Sequence, residues 1–534
     1  MNKAAAAVVV TLIVVASLAF ALIATDDAEP ANGRSSDGAR GTDDSPDATG
    51  AGVIPGDTTA EEEGPGQGDA EPSSADDTSG GDQDPGPKAA PRPRDDDRPI
   101  SFPAPRPLKG PVIAYIDTGI NPYHAAFRDS ARQAHPATYL DGYPASAEPL
   151  VLSLDAPDMR TALHQDEETW AAMEHGVLYY VPGTKIVGMV KFGDNPWSGG
   201  FIDANGHGTL VADAGSGNTA GVASESLIVS IQFTSDSDAI YDWIIASPWI
   251  DVVTTSVGIG HHGAAFFVKT GVGPDLSSDR SSVPGTYRLV DQGRLMVAAA
   301  GNDPTPSWRY EGGTPWIFSV GGARAQLIDG QQVWEVCKSC TRQTDVVAVM
   351  NGTFATHGSM TATVSASGTS VSGPRVAAYS VRLIEAARER LGDTKGFHDG
   401  AYATAPPGVP APVRGPLSDG RFTVEDLDRL VRVAAVPFDV AENLSQVRWP
   451  TQGYGLFNDT ALETALAILH GVVDEPERAW DDAWHTLYEE VSVRYWEPWV
   501  CRFEKPVTEW STCPTGTEDP EGLAEAVRFP LPKP

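Results

Sequence analysis

Six short, nearly continuous apolar runs, at 112–116, 227–231, 251–255, 295–299, 317–320 and 346–349, limit most strongly what this chain can fold into. A strand wetted on one face alternates polar and apolar residues, whereas a run apolar throughout needs cover on both faces. Helical patterns fall between or after several runs: 207–214 behind a glycine-rich turn, 236–246 apolar at helical spacing, and 370–390 rich in Ala, Val and Arg. This alternation predicts an α/β fold of three layers, a mainly parallel sheet with helices on both faces. Functional groups in such sheets gather beyond the carboxyl ends of the strands.

Three short motifs sit at those ends. Ile116-Asp117-Thr118-Gly119-Ile120 closes the first run with a carboxylate. Alone, Asp-Thr-Gly is a common turn, and two copies would suit a paired-carboxylate protease, but there is no second copy here. Asp203-Ala204-Asn205-Gly206-His207-Gly208-Thr209 puts His207 at a helix entry, between glycines that let neighbours approach the ring closely. Ser367-Gly368-Thr369-Ser370-Val371-Ser372-Gly373-Pro374 puts Ser370 in the first turn of the long helix. Free N–H groups and the positive end of the helix dipole lie there, and both stabilise a developing anion. As a simple N-cap, Ser370 would contribute about 1 kcal/mol, which does not account for the Gly-Thr before it and the Pro after it. A serine hydroxyl attacks at neutral pH only when a histidine takes its proton and a carboxylate holds that histidine. Asp117, His207 and Ser370 supply those three groups.

Two further stretches fit this chemistry. Residues 295–302 end a buried strand at Asn302, whose amide can donate to an oxyanion, although Gly-Asn is also a turn signal. Ser256, Val257 and Gly258 follow another strand and offer an extended edge on which a peptide could pair. With these residues assembled, the chain resembles the subtilisin-like serine peptidases (subtilases), whose triad runs Asp, His, Ser. The resemblance implies that Asp117 orients, His207 is general base and then acid, and Ser370 is the nucleophile. It gives Asn302 and the Ser370 N–H the oxyanion hole, and Ser256, Val257 and Gly258 the substrate backbone. It covers 108–471, closing with Gly453-Tyr454-Gly455-Leu456-Phe457-Asn458 and an Ala/Leu helix.

The expected activity is that of a serine endopeptidase hydrolysing peptide bonds of protein or peptide substrates, with no cofactor required for chemistry and no metal among the site residues. A structural calcium is an expectation of the resemblance alone, without identified ligands. Leu210 and Arg375 stand where the family commonly has histidine; neither position transfers a proton. The long gap from Asp117 to His207 implies an insertion near 128–200. No usual inhibitory pro-domain reads before Asp117. A non-peptide acyl hydrolase would need a Gly-x-Ser-x-Gly elbow, which Ser370 lacks; a non-catalytic surface protein would leave all four reactive positions unexplained.

Beyond the peptidase stretch, residues 4–24 follow a single Lys3 with an apolar run that directs export, as a cleaved signal peptide or as an anchor long enough to span a bilayer. Residues 25–107 are an acidic Pro/Gly/Ser-rich linker; 26–100 alone hold 20 acidic and 6 basic side chains and almost nothing apolar to bury, so a disordered tether is expected. Residues 472–534 form a small Trp-rich extension. The formal charge of −34 argues against nucleic acid. Four cysteines, Cys337, Cys340, Cys501 and Cys513, read most simply as two local disulfides of an exported protein, with zinc binding by Cys-x-x-Cys as the sharper alternative. The expected product is a secreted or extracellular protein, membrane-anchored if 4–24 is retained, and monomeric.

Overall fold

A computed structural model describes residues 110–193, 201–233, 237–257, 285–302, 316–328, 331–337, 340, 344–438, 453–476, 509 and 512. The tether, residues 4–24, Cys501, Cys513 and most of the Trp-rich extension lie outside them. The strands are β1 (Val112–Asp117), β2 (Glu148–Pro149), β3 (Tyr179–Tyr180), β4 (Ile186–Lys191), β5 (Leu227–Gln232), β6 (Val252–Thr255) and β7 (Met296–Ala299). Then follow β8 (Phe318–Ile328), β9 (Gln331–Val336), β10 (Val346–Val349), β11 (Asn351–Ala355), β12 (Thr363–Ser367), β13 (Ala401–Thr404) and β14 (Arg421–Thr423). The helices are α1 (Met159–Gln165), α2 (Glu167–Ala171), α3 (His207–Ser216), α4 (Ser237–Ile245), α5 (Gly285–Asp291), α6 (Thr369–Leu391), α7 (Val424–Ala434) and α8 (Asp459–Leu469).

All six apolar runs become strands of one sheet, in the order β10-β8-β7-β6-β1-β5-β4-β3-β2, with β9 paired to β8. Its central pairs, β7 with β6, β6 with β1, β1 with β5 and β5 with β4, are all parallel; only β3 with β4 and β8 with β9 are antiparallel. Every residue of β1 is buried, and its side chains divide by parity. Ile113 and Tyr115 join a core shared with α3 and α6 through Val211, Val376 and Ile384. Val112, Ala114 and Ile116 join the opposite core, with Ile240 and Ile244 of α4 and Leu289 of α5. Each large aliphatic side chain so enclosed contributes roughly 1.5–3 kcal/mol. The three-layer expectation is met.

The stretch 128–200 contains the short β2, β3, α1 and α2, but also β4, six buried residues that belong to the main sheet beside β5. It is fastened by Asp166, which accepts hydrogen bonds from the Tyr123 hydroxyl (2.7 Å) and from the Ser153 N–H (2.7 Å) and hydroxyl (2.6 Å). At the far end of α3 the buried Lys185 ammonium donates to the Ser216 carbonyl at 2.6 Å, satisfying an orphan acceptor of the helix C-terminus. Cys337 and Cys340 are joined by a disulfide just after β9. Past α6, the Gly453–Asn458 stretch bridges Val347 and Val436 through Leu456 and leads into α8, which packs on α6 and α7. Among the described residues no helix is long and apolar enough to cross a membrane.

Candidate active site

Because β1, β6 and β7 run parallel and in register, Asp117, Ser256 and Asn302 all lie at or just beyond the same edge of the sheet. Helices α3 and α6, which carry His207 and Ser370 near their first residues, pack on one another and on this half of the sheet. The Asp117 carboxylate is buried, and its Oδ1 accepts from His207 Nδ1 at 2.8 Å and from the Thr118 N–H at 2.7 Å. A carboxylate can only accept, so Nδ1 carries the proton and Nε2 presents a lone pair. Burial pulls the His207 imidazole down from the usual value, but the Asp117 charge and hydrogen bond, with Asp203 adding to them, outweigh it and leave it raised. The side chain of His207 is 29% exposed.

Gly206 and Gly208 explain why small residues flank this histidine. Gly206 caps α3 at φ 95°, a left-handed conformation that an L side chain resists. A Cβ there would stand 2.3 Å from Nδ1 of His357, and one on Gly208 would stand 2.2 Å from the Gly119 carbonyl. Sequence suggested close approach to the His207 ring; the crowding is at the glycines themselves, Gly206 against His357 and Gly208 against the Asp117 loop.

Ser370 is the second residue of α6, not its cap. The N-cap is Gly368, and no side chain caps this end; the Thr369 and Val371 N–H groups are taken by Asn302 and the Gly368 carbonyl, and the Ser370 N–H between them is the one that can meet a ligand. Thr369 uses its own N–H on Asn302 Oδ1 (2.8 Å), and its hydroxyl also donates there (3.1 Å) while accepting from the Gly301 N–H (3.1 Å). These donors can only meet the oxygen of the Asn302 amide, which leaves Nδ2 as the group able to donate. Pro374, four residues beyond Ser370, has no N–H to bond the Ser370 carbonyl. That carbonyl accepts instead from the Ser256 hydroxyl at 3.1 Å, and the Ser370 hydroxyl donates to the Ser256 carbonyl at a long 3.5 Å.

The structure therefore joins Asp117 to His207, Asn302 to Thr369, and Ser370 to Ser256. It shows no hydrogen bond between Ser370 and His207 among the described residues. Val257 is half-buried beside the β6 core, and Gly258 lies outside the described residues. Leu210 packs into the core around α3, and Arg375 donates to the Val349 carbonyl at 2.9 Å over the Phe354 ring, so both departures from histidine serve packing.

Sequence reasoning missed Asn121. This fully buried amide donates through Nδ2 to the carbonyls of Thr356 (3.3 Å), His357 (3.0 Å) and Ser359 (2.8 Å), and its N–H donates to the Thr209 hydroxyl (3.0 Å). It pins the β11–β12 hairpin, which leads directly into Ser370, to the loop after Asp117 and to α3. The only signal in the sequence was its place four residues after Asp117. Among the described residues no group of three or more His, Cys, Asp or Glu side chains could hold a metal ion.

A family model described as the subtilase family matches residues 108–395. No curated protein matches. Two similar solved structures are those of the prenylagaramide maturation protease PagA and of a mutant of the protease domain of PatA. The first is 12% identical, with a TM-score of 0.37, over 67% of this chain and 95% of that one. The second is 15% identical, with a TM-score of 0.37, over 67% of this chain and 97% of that one.

Proposed function

The chain belongs to the subtilase family and is a serine-type endopeptidase; from that premise we propose that it is exported and opens peptide bonds through an acyl-enzyme on Ser370. The observation that carries the residue assignment is the buried Asp117–His207 pair at 2.8 Å, which leaves Nε2 free to accept a proton. In the proposed reaction Ser370 Oγ turns from the Ser256 carbonyl to His207 and attacks the scissile carbonyl as Nε2 takes its proton. The oxyanion is met by the Ser370 N–H and Asn302 Nδ2. His207 returns the proton to the leaving amine, and a water activated by the same ring hydrolyses the ester. The substrate backbone lies along Ser256, Val257 and Gly258, and its N–H takes the Ser256 carbonyl that Ser370 relinquishes.

Export and placement follow from the ends of the sequence. Residues 4–24 direct the chain across or into a membrane, and the acidic 25–107 linker holds the peptidase at a distance from it. The compartment suits the Cys337–Cys340 disulfide.

The test pairs two measurements on the purified protein. A fluorophosphonate probe should label Ser370, and Ser370→Ala should abolish both labelling and casein hydrolysis while leaving the circular dichroism melt in place. Casein turnover that survives the substitution would reject Ser370 as nucleophile. A folded wild-type protein that neither labels nor cleaves would be an inactive member of the family.

A further inference from the structure

We propose that Asp203 is a positioning residue for His207: its buried carboxylate ties the entry of α3 to the Asp117 loop and sets a second negative charge beside the imidazole. The inference rests on His207 being the general base. Asp203 is 2% exposed, and no step of the reaction uses it. Its Oδ1 accepts from the Thr118 hydroxyl (2.9 Å), the Asn205 N–H (3.0 Å) and the Gly206 N–H (2.8 Å). Its Oδ2 accepts from the Thr209 N–H (2.9 Å) and hydroxyl (2.7 Å).

A carboxylate has about four lone-pair sites, so this one is filled by donors alone. They come from two segments. Thr118 follows Asp117 directly, whereas Asn205, Gly206 and Thr209 bracket His207. The Thr118 hydroxyl closes the circuit by accepting from the Gly208 N–H at 2.9 Å. The residues before and after the general base are thus referred, through one side chain, to the residue after its orienting carboxylate. An amide in place of the carboxylate would turn an NH2 group against N–H and O–H donors and would remove the charge.

Among the described residues, the charged groups that face His207 are Asp117 and Asp203. His357 packs on Gly206 from the hairpin side. Asp117 touches the imidazole; Asp203 acts through the backbone around it and through its field.

The experiment uses the full chain with Asp203→Asn, Thr118→Val and the Ser370→Ala baseline, assayed on fluorescent casein from about pH 5 to 9. Asp203→Asn should lower kcat/KM by about 10- to 100-fold, mostly in kcat, the range a displaced catalytic group costs. It should also move the acid limb of the pH profile to lower pH, because an imidazole without that negative neighbour releases its proton more readily. Thr118→Val keeps the charge and cuts the tie; it should slow turnover several-fold and leave the limb in place.

A folded Asp203→Asn protein with wild-type rate and limb overturns the proposal. So does a lower rate with an unmoved limb, which is what a merely loosened scaffold gives. Should Asp203→Asn not fold, Thr118→Val at wild-type rate overturns it. Wild-type turnover no higher than that of Ser370→Ala would instead break the peptidase assignment. In that case, titration of the His207 ring by NMR in wild type and Asp203→Asn still decides: a lower midpoint in the variant supports the proposal, and an equal one ends it.

Discussion

The two halves of the site are built to different tolerances. On the histidine side, Asp117, Thr118, Asn121, Asp203 and Thr209 form one continuous hydrogen-bonded web, mostly buried and at distances of 2.7–3.0 Å. On the serine side, the hydroxyl of the half-exposed Ser370 has, among the described residues, a single long hydrogen bond, 3.5 Å to the Ser256 carbonyl. The difference follows the chemistry. A histidine must be held in one tautomer before substrate arrives, and only fixed partners can do that. The nucleophile needs a short swing that substrate itself can induce, since catalytic hydrogen bonds tighten in the bound complex.

The sharpest way to break this contrast is on the serine side, at Asn302, whose oxygen the Thr369 N–H and hydroxyl hold. Asn302→Asp keeps an oxygen for Thr369 and replaces the Nδ2 donor with a negatively charged oxygen, so it turns the proposed oxyanion contact into a repulsion while sparing the packing. We expect kcat to fall by at least the roughly 100- to 1,000-fold that loss of one such donor costs, with KM nearly unchanged. A loss confined to KM would place Asn302 in substrate binding instead. Next in size is Asn121→Ala, which frees the hairpin before Ser370 from the histidine side. It should lower kcat/KM about 10-fold and cost about 2–3 kcal/mol of stability in urea melts, because buried carbonyls lose their donors. If stability falls and turnover stays intact, the two halves are independent.

The smallest effect is on pH dependence. The His207 imidazole is raised above its ordinary value near 6.5, so it stays protonated, and useless as a base, to a higher pH. The acid limb of kcat/KM should therefore have its midpoint above that value. The same shift contributes to folding: the stabilisation is complete below the unfolded value and is lost as pH rises through the raised folded one. A limb at or below about 6.5 would mean that burial wins over the two carboxylates.

The main sheet was legible because its strands are enclosed on both faces and spell that out residue by residue. β4 escaped notice although it is as buried as β1. Gly188 interrupts its run, and the reason is tertiary: a Cβ there would stand 2.9 Å from the Val229 side chain. β11 and β12 escaped because β12 is mostly exposed and reads as polar loop. Asp117, His207, Ser370 and Asn302 were singled out from the small residues around them. Asn121 was not, since a buried amide that gathers carbonyls from a distant segment leaves no local spacing to find; Asp203 stands in the His207 motif, but its tie to the Thr118 hydroxyl 85 residues away has no local signal.

The position of β1 has a consequence for the life of the chain before it is finished. It is made early yet lies in the middle of the sheet, between β5 and β6, and its Asp117 meets a histidine 90 residues later. The strand that pairs with it on the other side ends at Thr255, just before Ser256, whose partner Ser370 is a further 114 residues on. A nascent polypeptide leaving the ribosome can thus complete the proton-handling half while the attacking alcohol has not yet been translated. If Ser370 is the nucleophile proposed above, the emerging molecule cannot cut itself or its neighbours before α6 has been made, with α7 and α8 still to follow.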